Sequence, residues 1–132
     1  MSNERHLAMA VVVRDGKVLV QQRFRRSKGM VFEFPGGSVD EGESGEQAAI
    51  RELREETGLV SVSKLAAEIG KNEFGGDIFY VVLSEDAHNE PTATDPERQQ
   101  TFFWMEPKNL PLNDFFPSDI QFIQRTLTKY LD

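Results

Sequence analysis

The segment LAMAVVV (residues 7–13), the polar Arg14-Asp15-Gly16-Lys17 and then VLVQQ (18–22) predict a β-hairpin, with Asp15-Gly16 at the turn. A basic connection, RFRRSKG (23–29), leads to a short strand, MVFEF (30–34). That strand runs into Pro35-Gly36-Gly37, where neither helix nor strand is expected to continue. From Ser44 the period changes. Ser44 and Gln47 form an S-x-x-Q capping box, Ala48, Ala49, Ile50 and Leu53 give one apolar side, and Gly58 after Thr57 suits the left-handed position past a helix end. Lys64–Glu73 and Ile78–Leu83 read as two strands joined by Phe74-Gly75-Gly76-Asp77. A polar stretch from Ser84 to Gln100 has no apolar period and is expected as a long loop, a feature often tied to function. TFFWM (101–105) returns to strand, and Ile120, Ile123, Leu127 and Leu131 predict a closing helix from Ser118. Strands interleaved with two helices indicate one mixed α/β domain over 1–132, its sheet covered on two faces.

Composition narrows the chemistry. The 132 residues include no cysteine, which excludes a disulfide framework, a thiolate zinc site and a cysteine nucleophile. Apolar residues at 39% and charged residues at 28% are a globular balance. The polar start MSNERH and the short apolar run after it fit neither a signal core nor a membrane span, so a soluble cytoplasmic protein is expected. The formal net charge of -7 opposes a nucleic-acid backbone, so no DNA-binding module is expected, although divalent cations would let an anionic small molecule bind.

Much of that charge sits in GSVDEGESGEQAAIRELREETGL (37–59), where Asp40, Glu41, Glu43, Glu46, Glu52, Glu55 and Glu56 face only Arg51 and Arg54. Glu52, Glu55 and Glu56 stand at i, i+3 and i+4 and share one side of the helix. Two readings fit the spacing. One is a solvated acidic face with Arg51 paired to Glu55. The other is a ligand set for a hard cation, Mg²⁺ or Mn²⁺, since the donors are oxygens with no Cys or His nearby. In the second reading the adjacent glycine turn offers backbone carbonyls, and Arg51 steadies a neighbouring carboxylate.

Gly37, five residues, Glu43, seven residues, then Arg51-Glu52-Leu53-Arg54-Glu55-Glu56-Thr57-Gly58-Leu59 resembles the complete Nudix box. The flanking VLVQQR and FEFPGG resemble the approach to the box in the MutT-type branch of that family. The resemblance runs from about Leu7 to Trp104 and implies an α-β-α sandwich with a mixed central sheet. It also implies Mg²⁺-dependent hydrolysis (Mn²⁺ being possible) of a nucleoside triphosphate, including an oxidised or non-standard one, to a monophosphate and pyrophosphate. Other Nudix substrates (a sugar-nucleotide, a dinucleoside polyphosphate, a capped RNA end) stay open, as does a catalytically silent nucleotide-binding module.

Carried onto this chain, the resemblance implies that Glu52, Glu55 and Glu56 hold metal with the carbonyl of Gly36. Glu52 also serves as candidate general base, and Gly37, Glu43 and Arg51 support the set. Glu97 is the candidate for a further carboxylate, with Glu90, Asp95 and Glu73 as rivals. Arg23 is expected at the substrate phosphates, while Arg25, Arg26 and Lys28 read as solubility charges. Phe74 and Phe79, and less strongly Phe34 and Trp104, are candidates to stack on a base. Asp119 either meets the base edge or, with Ser118, caps the last helix. Ser38 departs from the lysine that the MutT-type pattern has there. His6 and His88 suggest nothing catalytic. A monomer or a homodimer is expected.

Overall fold

The computed structural model describes residues 5–26, 29–72, 75–94 and 100–130. Seven strands form one mixed sheet: β1 (Leu7–Arg14), β2 (Lys17–Arg25), β3 (Gly29–Glu33), β4 (Gly36–Ser38), β5 (Val62–Lys71), β6 (Asp77–Glu85) and β7 (Thr101–Met105). Helix α1 (Gly45–Thr57) precedes β5, and helix α2 (Pro117–Arg125) follows β7. The main path runs β3-β2-β1-β6-β5, with β4 paired to β1 and β7 paired to β2.

The expected hairpin forms, and both turn residues take positive φ, Asp15 at 53° and Gly16 at 77°, as a tight two-residue turn between twisted strands needs. It then splits. β1 and β2 pair at Val13–Val18 and Arg14–Lys17, after which β2 lies between β3 and β7. Into the resulting fork comes β4, antiparallel to the start of β1 with Ala8 opposite Gly37 and Met9 opposite Gly36. β3 stops at Glu33 as expected, but a new short strand begins at once at Gly36, which the sequence did not suggest. Glycines have no side chain to obstruct close pairing here: a Cβ on Gly36 would overlap the Ala8 carbonyl oxygen.

The central strands β1 and β6 run parallel and are buried on both faces, which explains their unbroken apolar sequences. Val11, Val13, Val20, Phe34, Tyr80 and Val82 pack beneath α2, whose Phe122 and Ile123 close that layer. Ala8, Ala10, Val12, Leu19, Val81 and Leu83 pack beneath α1 against Ala48, Ala49 and Leu53. Small residues on both sides bring α1 close to the sheet. At Gly45 a Cβ would fall 2.5 Å from the Phe79 ring.

Helix α1 begins and ends as expected. The Ser44 hydroxyl accepts from the Gln47 N–H and the Gln47 side chain returns a bond to the Ser44 N–H, while Gly58 ends the helix at φ 79°. The closing helix differs. α2 stops at Arg125, and a 3₁₀ turn over Leu127–Tyr130 carries Leu127 into the core. β6 also extends to Glu85, so the polar segment starts two residues later than expected.

Candidate active site

The fork between β1 and β2 decides what meets what. On β2 the side of the sheet facing α1 carries Leu19, and by alternation Gln21 and Arg23. Glu33 of β3 stands opposite Gln21, and Gly36 and Gly37 of β4 pass beneath the last turns of α1. The acidic side of α1 therefore lies over the glycine turn and beside a polar patch of β2 and β3.

Arg51 is the hub of the exposed half. Its Nε donates to Glu43 Oε2 at 2.7 Å and its Nη2 to Glu43 Oε1 at 3.0 Å. Nη2 also donates to the Ser38 carbonyl at 3.0 Å. Nη1 donates to Glu52 Oε1 at 3.0 Å and to Glu55 Oε2 at 3.1 Å. Glu43 additionally accepts from the Asp40 N–H at 3.0 Å. The Arg51 fork, and secondarily that amide, hold the Glu43 carboxyl below its ordinary range. The same bonds raise Arg51, Glu43 first, against the lowering effect of burial.

Glu52 and Glu56 belong to the inner half. A Cβ on Gly37 would sit 2.6 Å from the Glu52 carboxylate, so only glycine leaves that carboxylate its place. Glu56, 4% exposed, turns into the fork. Its Oε2 accepts from the Gly36 N–H at 2.9 Å, and its Oε1 from the side-chain amides of Gln21 at 3.4 Å and Gln100 at 3.2 Å. Burying an ionised carboxylate is costly unless such donors surround it.

Arg23 and Arg25 sit at the end of this patch, both around Glu33. Arg25 donates to Glu33 Oε1 at 2.8 Å, and the Arg23 Nε lies 4.0 Å from the same oxygen. Arg25 is thus tied into the patch rather than being a loop charge.

Of the two readings of the helix acids, the solvated face is seen at one residue. Glu55 pairs with Arg51 and is half exposed, as a solvated face would have it. Among the described residues no three carboxylates gather round one point. The donor chemistry nevertheless suits a hard divalent cation: the carboxylates of Glu52 and Glu56 stand beside the Gly36–Gly37 backbone, with Glu52 in the space that a missing Cβ leaves, and Glu55 is joined to Glu52 through Arg51.

Other sequence candidates fall elsewhere. Asp119 lies on the opposite side of the sheet, buried among the α2-side aromatics, and accepts from the Tyr80 hydroxyl at 2.7 Å. It does not cap α2, whose N-cap is Phe116 with no side-chain cap. Burial, together with the nearby Asp119 charge, pushes the Tyr80 hydroxyl far above its ordinary range, so it stays a donor. Phe79 joins the apolar layer under α1, and Phe34 is a core ring beside Tyr80, Phe115 and Phe122. Trp104 lies under the Arg14 guanidinium, 4.0 Å from its ring centre. Glu90 pairs with Arg14. Glu97, Phe74, Asp95, Glu73 and Lys28 lie outside the described residues. The sequence reading did not single out Gln21, Glu33 and Gln100. For Gln21 and Glu33 the signal was available: VLVQQ and MVFEF each place a polar residue where alternation demands a buried one.

Known proteins resemble this chain in sequence and fold. The profile of the NUDIX domain family matches residues 4–126. An 8-oxo-dGTP diphosphatase of Haemophilus influenzae is 33% identical over 117 residues, covering 86% of this chain and 84% of its own. A CTP pyrophosphohydrolase of Escherichia coli is 31% identical, covering 87% of this chain and 85% of its own. Among solved structures, a MutT NUDIX hydrolase from Burkholderia pseudomallei superposes with TM-score 0.71 at 26% identity, over 95% of this chain and 99% of that one.

Proposed function

The chain belongs to the NUDIX family and is a pyrophosphohydrolase acting on phosphorus-containing anhydrides, and we propose that its substrate is a nucleoside triphosphate, cut to a monophosphate and pyrophosphate. The observation that carries this reading is that two relatives matched over most of both chains are named for a purine and a pyrimidine triphosphate. Family members use divalent metal ions, and the all-oxygen donor set favours Mg²⁺, with Mn²⁺ able to replace it.

Glu52, Glu55 and Glu56 would hold the cation with the Gly36 carbonyl. Once bound, the metal neutralises phosphate charge, polarises the phosphoryl group and makes its water a better nucleophile. The remaining work falls to the chain. Arg51 sets the Glu43–Glu52–Glu55 spacing through its planar fork. Glu52, held over Gly37, takes the proton of the attacking water. Arg23 binds a phosphate by a charge-assisted hydrogen bond from its guanidinium. Asp119, anchored at Oδ1 by Tyr80, accepts from a donor edge of the base. Glu97 and Phe74 keep their sequence-based roles as further ligand and base contact, and the chain acts in the cytoplasm as one domain.

A panel of nucleoside triphosphates, sugar-nucleotides, dinucleoside polyphosphates and capped RNA, each tested with Mg²⁺, checks the substrate class. A triphosphate should give the highest kcat/KM. A preference of tenfold or more for any other class would refute the reading, and binding without turnover of any member would leave only a nucleotide-binding module.

A further inference from the structure

Two glutamines, one in β2 and one just before β7, converge on one oxygen of Glu56. Gln21 of β2 donates from its Nε2 to Glu56 Oε1 at 3.4 Å and to Glu33 Oε1 at 3.1 Å. Gln100, next to the start of β7, donates from its Nε2 to the same Glu56 oxygen at 3.2 Å and to Gln21 Oε1 at 3.1 Å. All four side chains are more than nine-tenths buried. The orientation of each amide is determined by its partners. Turning Gln100 over would face its carbonyl to the Glu56 carboxylate, and turning Gln21 over would face a carbonyl to two carboxylates.

Such an arrangement is expensive to keep for packing alone. Two carboxylates, Glu56 of α1 and Glu33 of β3, repel, and an apolar pair of similar size would fill the space without the desolvation cost. The Gln21 NH₂ group stands between the charges and satisfies both. With the Gly36 N–H on its other oxygen, Glu56 is held from two sides, and its carboxylate has little freedom to swing.

We infer that Gln21 and Gln100 are positioning residues, which act through Glu56 to set its carboxylate for metal binding, and that Gln21 links this carboxylate to the Arg23–Arg25–Glu33 group. The inference rests on the proposed role of Glu56 as a metal ligand. Outer partners of this kind typically change metal affinity by roughly 10–100-fold.

The test is a double-variant cycle read by Mn²⁺ binding, with free Mn²⁺ counted by electron paramagnetic resonance and no nucleotide present. Gln21→Met and Gln100→Met keep side-chain length and remove the amide. Each should weaken Mn²⁺ binding by roughly tenfold, while in a Glu56→Gln background the same changes should have no further effect. Thermal unfolding without metal identifies a variant that merely fails to fold; if Gln21→Met does so, Gln100→Met carries the test. Gln100→Asn, which keeps an amide on a shorter stem, should recover part of the loss. Unchanged Mn²⁺ affinity in folded Gln21→Met and Gln100→Met, with Glu56→Gln still weakened, would overturn this inference alone. Full affinity in Glu56→Gln would overturn it together with the metal role of Glu56.

Discussion

Arg51 holds Glu43 by two parallel bonds, Nε to Oε2 at 2.7 Å and Nη2 to Oε1 at 3.0 Å, and its remaining Nη1 reaches Glu52 and Glu55. A planar guanidinium can do this; a point-like ammonium cannot. Arg51→Lys should therefore keep the charge and lose the spacing. Turnover is expected to fall roughly 10–100-fold with a rise in the Mg²⁺ needed for half-maximal rate. Measuring rate against Mg²⁺ concentration checks this, and a variant with an unchanged Mg²⁺ requirement would contradict it.

Gly36 and Gly37 are adjacent and should respond differently to alanine. At Gly37 the new Cβ meets the end of a flexible side chain, Glu52. Gly37→Ala should displace that carboxylate and cost activity at least tenfold, with stability changed by less than about 1 kcal/mol. At Gly36 the new Cβ meets the Ala8 backbone carbonyl, so Gly36→Ala should destabilise by about 3 kcal/mol. Denaturant unfolding alongside activity assays separates the two effects.

Tyr80→Phe isolates one buried hydroxyl. The ring stack on Phe122, 4.3 Å between centres, survives the change, while Asp119 loses a 2.7 Å donor in the core. The expected loss is about 2 kcal/mol, seen as a Tm lower by roughly 6 °C. Asp119→Asn should in addition change which nucleobase is preferred, as read by relative kcat/KM across bases; loss of stability with unaltered base preference would argue for a purely structural Asp119.

Glu85 supplies a pH signature. Burial raises its carboxyl, but the Arg14 bond at 3.0 Å and backbone N–H groups of Asn89 and His88 outweigh it, so the native value lies below the ordinary 4.5. With a depressed native value, the stabilising contribution is complete above about pH 4.5 and is lost as pH falls through the native value. Glu85→Gln should cost about 2 kcal/mol at neutral pH and flatten the acid limb of the stability profile. An acid limb as steep as that of the unaltered chain would exclude Glu85 as a source of it.

The parts of this protein that were legible in sequence are those fixed by local chemistry. Ser44, Gln47 and Gly58 mark the ends of α1 by hydrogen bonds that span three or four residues, and Asp15-Gly16 marks its turn by backbone preference alone. The i, i+3, i+4 spacing of Glu52, Glu55 and Glu56 on α1 likewise needs no tertiary knowledge. The strand at Gly36–Ser38 was not legible, because only the parting of β1 from β2 gives it a partner. The same fork brings Gln21 to Gln100, residues 79 apart in sequence, and sends Glu56 inward while Glu55 faces solvent. Asp119 shows the same limit: its place in the first turn of α2 suggested a cap, yet tertiary packing gave it Tyr80.

Product analysis by phosphorus NMR tests the central claim most directly. A nucleoside triphosphate incubated with the protein and Mg²⁺ should yield nucleoside monophosphate and pyrophosphate in equal amounts, with no reaction when the cation is chelated and at least a hundredfold slower reaction in Glu56→Gln. Formation of nucleoside diphosphate and inorganic phosphate, or an undiminished rate in Glu56→Gln, would contradict the account.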